Sequence, residues 1–180
     1  MKVAIVGPGI MPIPPTGWGA VEILIWDQKL ALEKLGHEVL IVNTPNPNDI
    51  LKEIDSFDPD FVHVQYDEHY MVGDSFDCDN VIMTTYFAYA DQVDKHDLYY
   101  RTIFDGMLSL KRARMFVISP SIRDRYLERG FDPSRIEVVS SGVRDDLFSF
   151  KEECEYPDKS IYLAKIDYRK RQHLFHNIPD

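Results

Sequence analysis

A loop rich in glycine and proline is the first stretch of the sequence that could bind a ligand. It spans residues 8–19, between an apolar strand and an apolar helix, and includes Gly17 and Gly19. N–H groups in the first turn of a helix lack partners inside the helix, and the helix dipole favours an anion there. Glycine has no side chain, so an anionic ligand could approach the backbone closely there. The pattern predicts a phosphate-like group at this loop, or a surface loop whose glycines and prolines serve only turn geometry.

A second candidate lies near the end of the sequence, where four cations fall within the seven residues from Lys165 to Arg171. Lys165 and Lys170 are five positions apart, across a predicted turn between a strand and a helix. The rest of the chain is acidic, with 30 Asp and Glu residues and a formal net charge of −10. Concentrated positive charge in such a chain favours a site for an anionic group. A solvated basic turn is the alternative.

Two familiar phosphate-binding motifs are missing from the sequence. G-x-G-x-x-G begins correctly at Gly7 and Gly9, but Pro12 stands where the third glycine belongs. The second predicted strand ends at Asn43, where an NAD enzyme would carry Asp or Glu for the ribose hydroxyls. GxxxxGK[ST] does not occur either. These departures count against an NAD-linked enzyme, which remains the third of three hypotheses.

The elements that must position these residues alternate between strand and helix. Short apolar runs predict buried strands, and apolar residues repeated every three or four positions predict helices. The predicted order is β-α-β-α-β-β-α-β-α-β. This alternation is typical of an α/β fold with a Rossmann-like, doubly wound parallel sheet that carries helices on both faces. Ligands in such sheets bind beyond the carboxyl ends of the strands. The loop of residues 8–19, called the glycine loop below, begins at such an end.

Composition changes near residue 142 and predicts the domain organisation. Residues 1–142 form the predicted Rossmann-like domain, and the polar stretch 143–160 is a predicted linker. Residues 161–180 begin a new unit with a strand, a basic turn and the start of a helix. A strand and half a helix cannot bury a core of their own. Either they pack on the first domain, or the rest of a second domain is missing.

Charge and cysteine content exclude several classes of protein. A net charge of −10 argues against nucleic-acid binding, which needs a basic face. Cys78 and Cys154 are far apart and form no CxxC, so they indicate neither a disulfide framework nor a zinc site. No stretch approaches the ~18 consecutive apolar residues of a membrane helix. We expect a cytoplasmic protein that binds no nucleic acid.

The motifs, taken in order, resemble the amino-terminal half of a family 4 retaining glycosyltransferase with the GT-B fold. TGWGAVE, residues 16–22, is similar to the family's Gly-Gly-x-E turn, with Trp18 between the glycines. LEKLGHEVLIVNT, PDFVHVQY and VIMTTYF follow in the family's order, as does FVISPSIRDRYLERGFDPSRIEVVSSGVRDDLF. YLAKIDYRKRQHLF resembles the motif that opens the second domain. The resemblance covers nearly the whole chain.

The resemblance implies an enzyme that moves a sugar from a nucleoside diphosphate sugar to a saccharide or other hydroxyl acceptor, with retention of configuration. This chain would be its acceptor-side domain and the start of the donor-side domain. Lys165 and Lys170 would face the diphosphate, and Gly17 and Gly19 would line the diphosphate or the acceptor. No metal or other cofactor is expected.

Two aromatic residues complete the predicted site. Trp18 is predicted to stack on a sugar ring, with a packed indole that covers the first helix as the alternative. Tyr86 stands where the family has a histidine near the transferred sugar or the acceptor. It is predicted as a catalytic contact, with a packed aromatic ring as the alternative. The sequence also departs from the family at Lys165, which replaces an arginine, and at Arg144, in a hinge that usually reads Asn-Gly-Val-Asp.

For the polar residues around the third strand, the sequence predicts mainly structural roles. His63 lies inside a predicted buried strand, which favours a hydrogen-bonded core histidine. The strand's carboxyl end, at Tyr66 and Asp67, faces the predicted cleft. Asp67 and the two residues after it resemble a metal cluster only loosely, and we expect no metal site. Ser121 is the predicted cap of a later helix.

A non-catalytic function is the alternative to the glycosyltransferase. The chain would then be a short Rossmann-like module that binds a nucleotide sugar or a partner chain, for instance a separately encoded donor-side domain. The sequence favours the enzyme because its motifs occur in the family's order.

Overall fold

A computed structural model of the protein describes residues 1–86, 88–144, 146–153, 155–164, 166 and 170–177. The chain divides into two units, Met1–Gly142 and Val143–Asp180. In the second unit the structure describes a short 3-10 helix, Gln172–Asn177. The predicted linker at 143–160 and the truncated second domain at 161–180 stay predictions.

The first unit contains a six-stranded parallel sheet and four α-helices. The strands are β1 Lys2–Val6, β2 Glu38–Val42, β3 Phe61–Val64, β4 Val81–Thr85, β5 Arg114–Val117 and β6 Ile136–Val138. The helices are α1 Ala20–Lys34, α2 Pro47–Phe57, α3 Leu98–Ser109 and α4 Pro120–Glu128. The strand order across the sheet is β2-β1-β3-β4-β5-β6, and every neighbouring pair is parallel. The predicted Rossmann-like α/β fold and its order of elements are confirmed.

Short polar side chains begin three of the helices. Asn46, Asp97 and Ser119 each accept a hydrogen bond from a backbone N–H in the first turn of α2, α3 and α4. Such caps satisfy donors that the helix itself cannot pair. The predicted cap at Ser121 is wrong: α4 begins at Pro120, because proline suits the first helical position and needs no N–H partner there.

Alternation along the strands divides the core between the two faces of the sheet. Val3 and Ile5 pack against Ile25 of α1 on one face. Ala4 and Val6 face the other way, into the larger cluster that includes side chains of α2, α3 and α4. Successive side chains of a strand point to opposite faces, so the apolar run of β1 is buried on both.

The strand order places the switch point of the sheet between β1 and β3. β1 lies between β2 and β3, so the chain builds outward on one side of β1 and then returns to build on the other. Open α/β sheets bind ligands at such a switch point, beyond the carboxyl ends of the strands. The segments that follow β1 and β3 there include the glycine loop, residues 8–19, and the 3-10 helix Asp67–Val72.

Within the described part of the chain, no helix is both long enough and apolar enough to cross a bilayer.

Gly106 of α3 allows the 3-10 helix Asp67–Val72 to pack closely against α3. A Cβ at Gly106 would lie 2.4 Å from ring carbons of Tyr70. We expect Gly106→Ala to lower the free energy of unfolding by about 1–3 kcal/mol, because the clash outweighs alanine's better helix propensity. Urea denaturation measures this. Gly17→Ala is the matched control, since no described atom lies within 4 Å of its Cβ position. Equal stability of the two variants would contradict the prediction.

Candidate functional site

Buried polar side chains gather at the switch point. Apart from tyrosines, the buried polar or charged residues in the described part of the chain lie in β3, in the segment that follows it, in β4, or in the first turn of α1: Glu22, His63, Gln65, Asp67, His69, Thr84 and Thr85. Burying a polar group costs free energy unless the group is hydrogen-bonded. Such a cluster at the carboxyl ends of central strands is a candidate functional site.

Two glutamines connect β3 to α1. The Gln65 amide nitrogen donates to Gln28 Oε1, and Gln65 Oε1 accepts from the Tyr86 hydroxyl at 2.7 Å. The amide nitrogens of Gln28 and Gln65 lie 3.3 and 3.4 Å from His63 Nδ1. His63 Nε2 lies 2.7 Å from Thr84 Oγ1. We call these five residues the amide network.

Hydrogen bonds in the amide network run in one direction. In the orientation that the structure gives to both amides, their nitrogens face His63 Nδ1, which then accepts and carries no proton. The ring proton of the neutral imidazole is then on Nε2, which donates to Thr84 Oγ1. Burial lowers the pKa of His63 to about 4, so the ring is neutral at pH 7. The network therefore consists of neutral groups at that pH.

Asp67 joins three segments beside the amide network. Its Oδ2 accepts from Thr85 Oγ1 at 2.7 Å and from the Tyr89 hydroxyl at 2.9 Å. These bonds connect the exit of β3 to the end of β4 and to the 3-10 helix Ala88–Lys95. Burial raises the pKa of Asp67, and the two hydrogen bonds oppose that rise. A buried carboxyl group with a raised pKa at this edge of the sheet is a candidate for a chemical role.

Glu68 lies between two tyrosines. The Tyr66 hydroxyl donates to Glu68 Oε1 at 2.5 Å. Burial and then the Glu68 carboxylate raise the pKa of Tyr66 and of Tyr99, which keeps both phenols protonated. Among the residues that the structure describes, no three His, Cys, Asp or Glu side chains meet as a metal site would require.

His69 lies beneath the start of the glycine loop. Its ring packs edge-on against Tyr66, with centroids 5.3 Å apart. Burial lowers the pKa of His69, while the backbone of Gly7 and Pro8 favours the protonated ring. His69 Nε2 is buried, and no described atom forms a hydrogen bond with it. His69 therefore links the exit of β3 to the exit of β1.

Asn43 holds the glycine loop in place. Its Oδ1 accepts from the Gly9 N–H at 2.8 Å, and its Nδ2 donates to the Met11 carbonyl at 2.8 Å. Gly9 has a φ of 71°, and a Cβ there would lie 2.3 Å from the Pro45 nitrogen. The position that would bind ribose in an NAD enzyme thus supports the loop in this protein.

The first turn of α1 already has a negative side chain. Gly19 begins the helix with a φ of 147°, and no described side chain caps it. Glu22 is buried in that turn, and its Oε2 would lie 2.9 Å from a Cβ at Gly19. A carboxylate at a helix N-terminus is favoured by the helix dipole and repels a second anion. The end of the loop therefore suits a neutral group better than a diphosphate.

The predicted site residues fall into two groups. Tyr86 belongs to the amide network, and Gly17, Trp18 and Gly19 lie together on the glycine loop. Gly17 has open space around its Cα among the described residues. Trp18 is 74% exposed, so its indole does not pack into the sheet and the packed alternative is wrong. Its stacking on a sugar stays a prediction.

The predicted lysines belong to the second unit. Lys165 lies outside the described residues. Lys170 is exposed, and its backbone carbonyl accepts from the Tyr162 hydroxyl at 2.9 Å. Their proposed contact with a diphosphate stays a prediction.

Sequence analysis missed the two glutamines. Gln28 interrupts an apolar stripe of α1 whose other members are Val21, Ile25 and Leu32, all packed in one cluster. Gln65 follows His63 by two positions and so points to the same face of the strand. The sequence did contain a signal for this pair. Gln28 is a polar residue in the inward-facing stripe of a helix, and His63 and Gln65 are a polar pair at the end of a buried strand.

A hollow of about 590 Å³ lies between α4 and the 3-10 helix Ala88–Lys95. None of its lining residues belongs to the amide network. Four of its charged side chains pair locally: Arg129 with Asp94 at 3.0 Å, and Arg125 with Glu128 at 2.8 Å. The buried polar cluster therefore remains the better candidate site.

Comparisons with known proteins add little to this description. No protein-family model matches the sequence, and no curated protein matches it. Among solved structures, the chain is similar to AviGT4, a glycosyltransferase involved in avilamycin A biosynthesis, with 17% sequence identity and a TM-score of 0.35. The match covers 78% of this chain and 64% of that one, so this chain spans less than two thirds of that protein's length. A likeness this distant carries no argument about activity.

The lowered pKa of His63 predicts a pH-dependent stability. Between about pH 4 and 6.5 the unfolded state binds a proton that the folded state does not, so stability falls as the pH drops through this window. Between pH 7 and pH 5 we expect wild type to lose about 2 kcal/mol more than His63→Asn. Urea denaturation at both pH values measures this difference. Equal losses, or an NMR titration that places His63 near its ordinary pKa, would contradict the assignment.

Proposed function

We propose that the protein is a glycosyltransferase that moves a sugar from a nucleoside diphosphate sugar to a hydroxyl acceptor, and that its first unit binds the acceptor side. The observation that carries this proposal is the cluster of seven buried polar residues, from Glu22 to Thr85, at the switch point of a Rossmann-like sheet. The ordered motifs of a retaining family support it and suggest that configuration is retained.

The proposed reaction places different demands on the two sides of the site. The bond between the anomeric carbon and the diphosphate oxygen breaks, and its electron pair leaves with the diphosphate. The acceptor's hydroxyl oxygen forms the new bond and loses its proton to the diphosphate or to solvent. Negative charge develops on the diphosphate and must be stabilised by cations or N–H donors. We assign that role to Lys165 and Lys170.

The first unit suits hydroxyl groups. Its switch point carries three acidic side chains, Glu22, Asp67 and Glu68, together with the neutral amide network. Hydroxyl groups can donate to carboxylate and amide oxygens, whereas a diphosphate would meet repulsion from the carboxylates of Glu22 and Glu68. Of the two expectations for the glycine loop, we therefore favour contact with the acceptor or the transferred sugar.

The proposal predicts binding of sugar nucleotides. We expect at least one of UDP-glucose, GDP-mannose, dTDP-glucose and ADP-glucose, at millimolar concentration, to raise the Tm by about 2 °C or more. Differential scanning fluorimetry measures the Tm. A separate assay detects hydrolysis or transfer through the nucleoside diphosphate that is released. Binding without turnover would support the non-catalytic alternative. Neither binding nor turnover across the panel would overturn the proposal.

The lysine assignment predicts a kinetic defect. Lys165→Ala and Lys170→Ala should each lower kcat/KM by ~10–1000-fold, because each removes a cation from the leaving diphosphate. Lys159→Ala is the matched control in the same unit, since the Lys159 ammonium lies over the Tyr156 ring. Activity should persist in EDTA, because we propose a reaction that uses no metal. Unchanged kinetics in both lysine variants would refute the assignment.

A further inference from the structure

The hydroxyl of Tyr86 has a defined direction of hydrogen bonding. It donates its one proton to Gln65 Oε1 at 2.7 Å. Burial raises the pKa of Tyr86 to about 12, so the phenol keeps that proton at pH 7. A phenol oxygen whose proton is already donated offers only lone pairs to a further partner. A ligand group beside Tyr86 must therefore be a donor.

Residues further from Tyr86 determine this direction. If the Gln65 amide were turned over, its nitrogen would face Tyr86 and the phenol would become the acceptor. If Gln28 and the His63 tautomer stayed as they are, its oxygen would then face Gln28 Oε1 and His63 Nδ1, and three acceptors would meet without a proton between them. The opposite direction needs both glutamines turned over and the ring proton on Nδ1, so the tautomer of His63 distinguishes the two directions.

We propose that Gln28 and Gln65 are positioning residues that keep Tyr86 a hydrogen-bond acceptor toward a bound ligand. Tyr86 then selects a hydroxyl group of the sugar or the acceptor over an unprotonated phosphate oxygen. This inference rests on the proposed glycosyl transfer for the identity of the ligand. The direction of the network itself rests only on the contacts in the free protein.

The direction can be read at His63 without any ligand. In the ¹⁵N-labelled 180-residue chain at pH 7, long-range ¹H–¹⁵N NMR should show the His63 ring proton on Nε2. His63→Asn assigns the signal by its disappearance. A proton on Nδ1 would overturn the proposal, because Nδ1 would then have to face amide oxygens and Gln65 would present its nitrogen to Tyr86.

Two substitutions at Gln28 separate positioning from packing. Gln28→Glu keeps an oxygen that accepts from Gln65, although it loses the amide nitrogen that faces His63, so kcat/KM should fall less than in Gln28→Met. Gln28→Met has a similar length but no acceptor, so Gln65 can turn over and kcat/KM should fall ~10-fold. A packing role alone would favour the apolar methionine over the partly buried carboxylate. Equal or greater activity of Gln28→Met would overturn the proposal.

Tyr86→Phe tests the selection itself. With the sugar nucleotide that gives the largest Tm shift in the panel, kcat/KM should fall ~10-fold or more. The inhibition constant of the matching nucleoside diphosphate should change less than ~2-fold, because Tyr86 does not bind the phosphates. Tyr70→Phe, whose ring packs on Gly106, is the matched control. If Tyr86→Phe weakened binding of the nucleoside diphosphate as much as it lowered kcat/KM, the proposed selection would be overturned.

Failure of the two proposals can be told apart. If wild type turns over none of the sugar nucleotides, the proposed function and the selection at Tyr86 are both overturned. The tautomer of His63 still decides whether Gln28 and Gln65 orient the network. If wild type is active and Gln28→Met is equally active, only the positioning role is overturned.

Discussion

The hydrogen bond from Gln65 to Gln28 is the interaction on which the organisation of the site depends. It joins the end of β3 to α1 across 37 positions of sequence, and it leaves Gln65 Oε1 free to accept from Tyr86. The amide nitrogens of both glutamines also face His63 Nδ1. His63 Nε2 then donates to Thr84 Oγ1 in β4, so the hydrogen bonds continue in the same direction. The cost of burying polar groups inside a sheet is thus offset by an arrangement in which each donor meets an acceptor.

The electrostatics of the first unit follow from the same edge of the sheet. Asp67 is held by two hydroxyl donors, and Glu22 lies in the first turn of α1. A negative charge on Glu22 is favoured by the helix dipole and opposes any anion brought to the same edge of the sheet, whereas burial raises the pKa of Asp67 and opposes its ionisation. In the proposed enzyme, hydroxyl recognition therefore falls to the first unit, and stabilisation of the diphosphate is assigned to lysines of the second.

Local chemistry also counts against the usual mode of dinucleotide binding at the glycine loop. Pro12 prevents the short turn that the dinucleotide motif needs, and Asn43 uses both ends of its amide to hold Gly9 and Met11. The loop is fixed by a side chain from the neighbouring strand. Trp18 is left exposed on it, where it can meet a ligand without first leaving the core.

The sequence alone determined the α/β class, the order of strands and helices, and the Rossmann-like sheet, because apolar periodicity and helix caps are local signals. It also singled out Tyr86 and the glycine loop, through a resemblance in motif order. Only the tertiary structure decided that Gln28 and Gln65 meet, that Asn43 supports the loop, and that Glu22 lies beside Gly19. These contacts join residues on different elements, or depend on how a helix begins in three dimensions, and no local pattern encodes which polar side chains will pair once the strands are aligned.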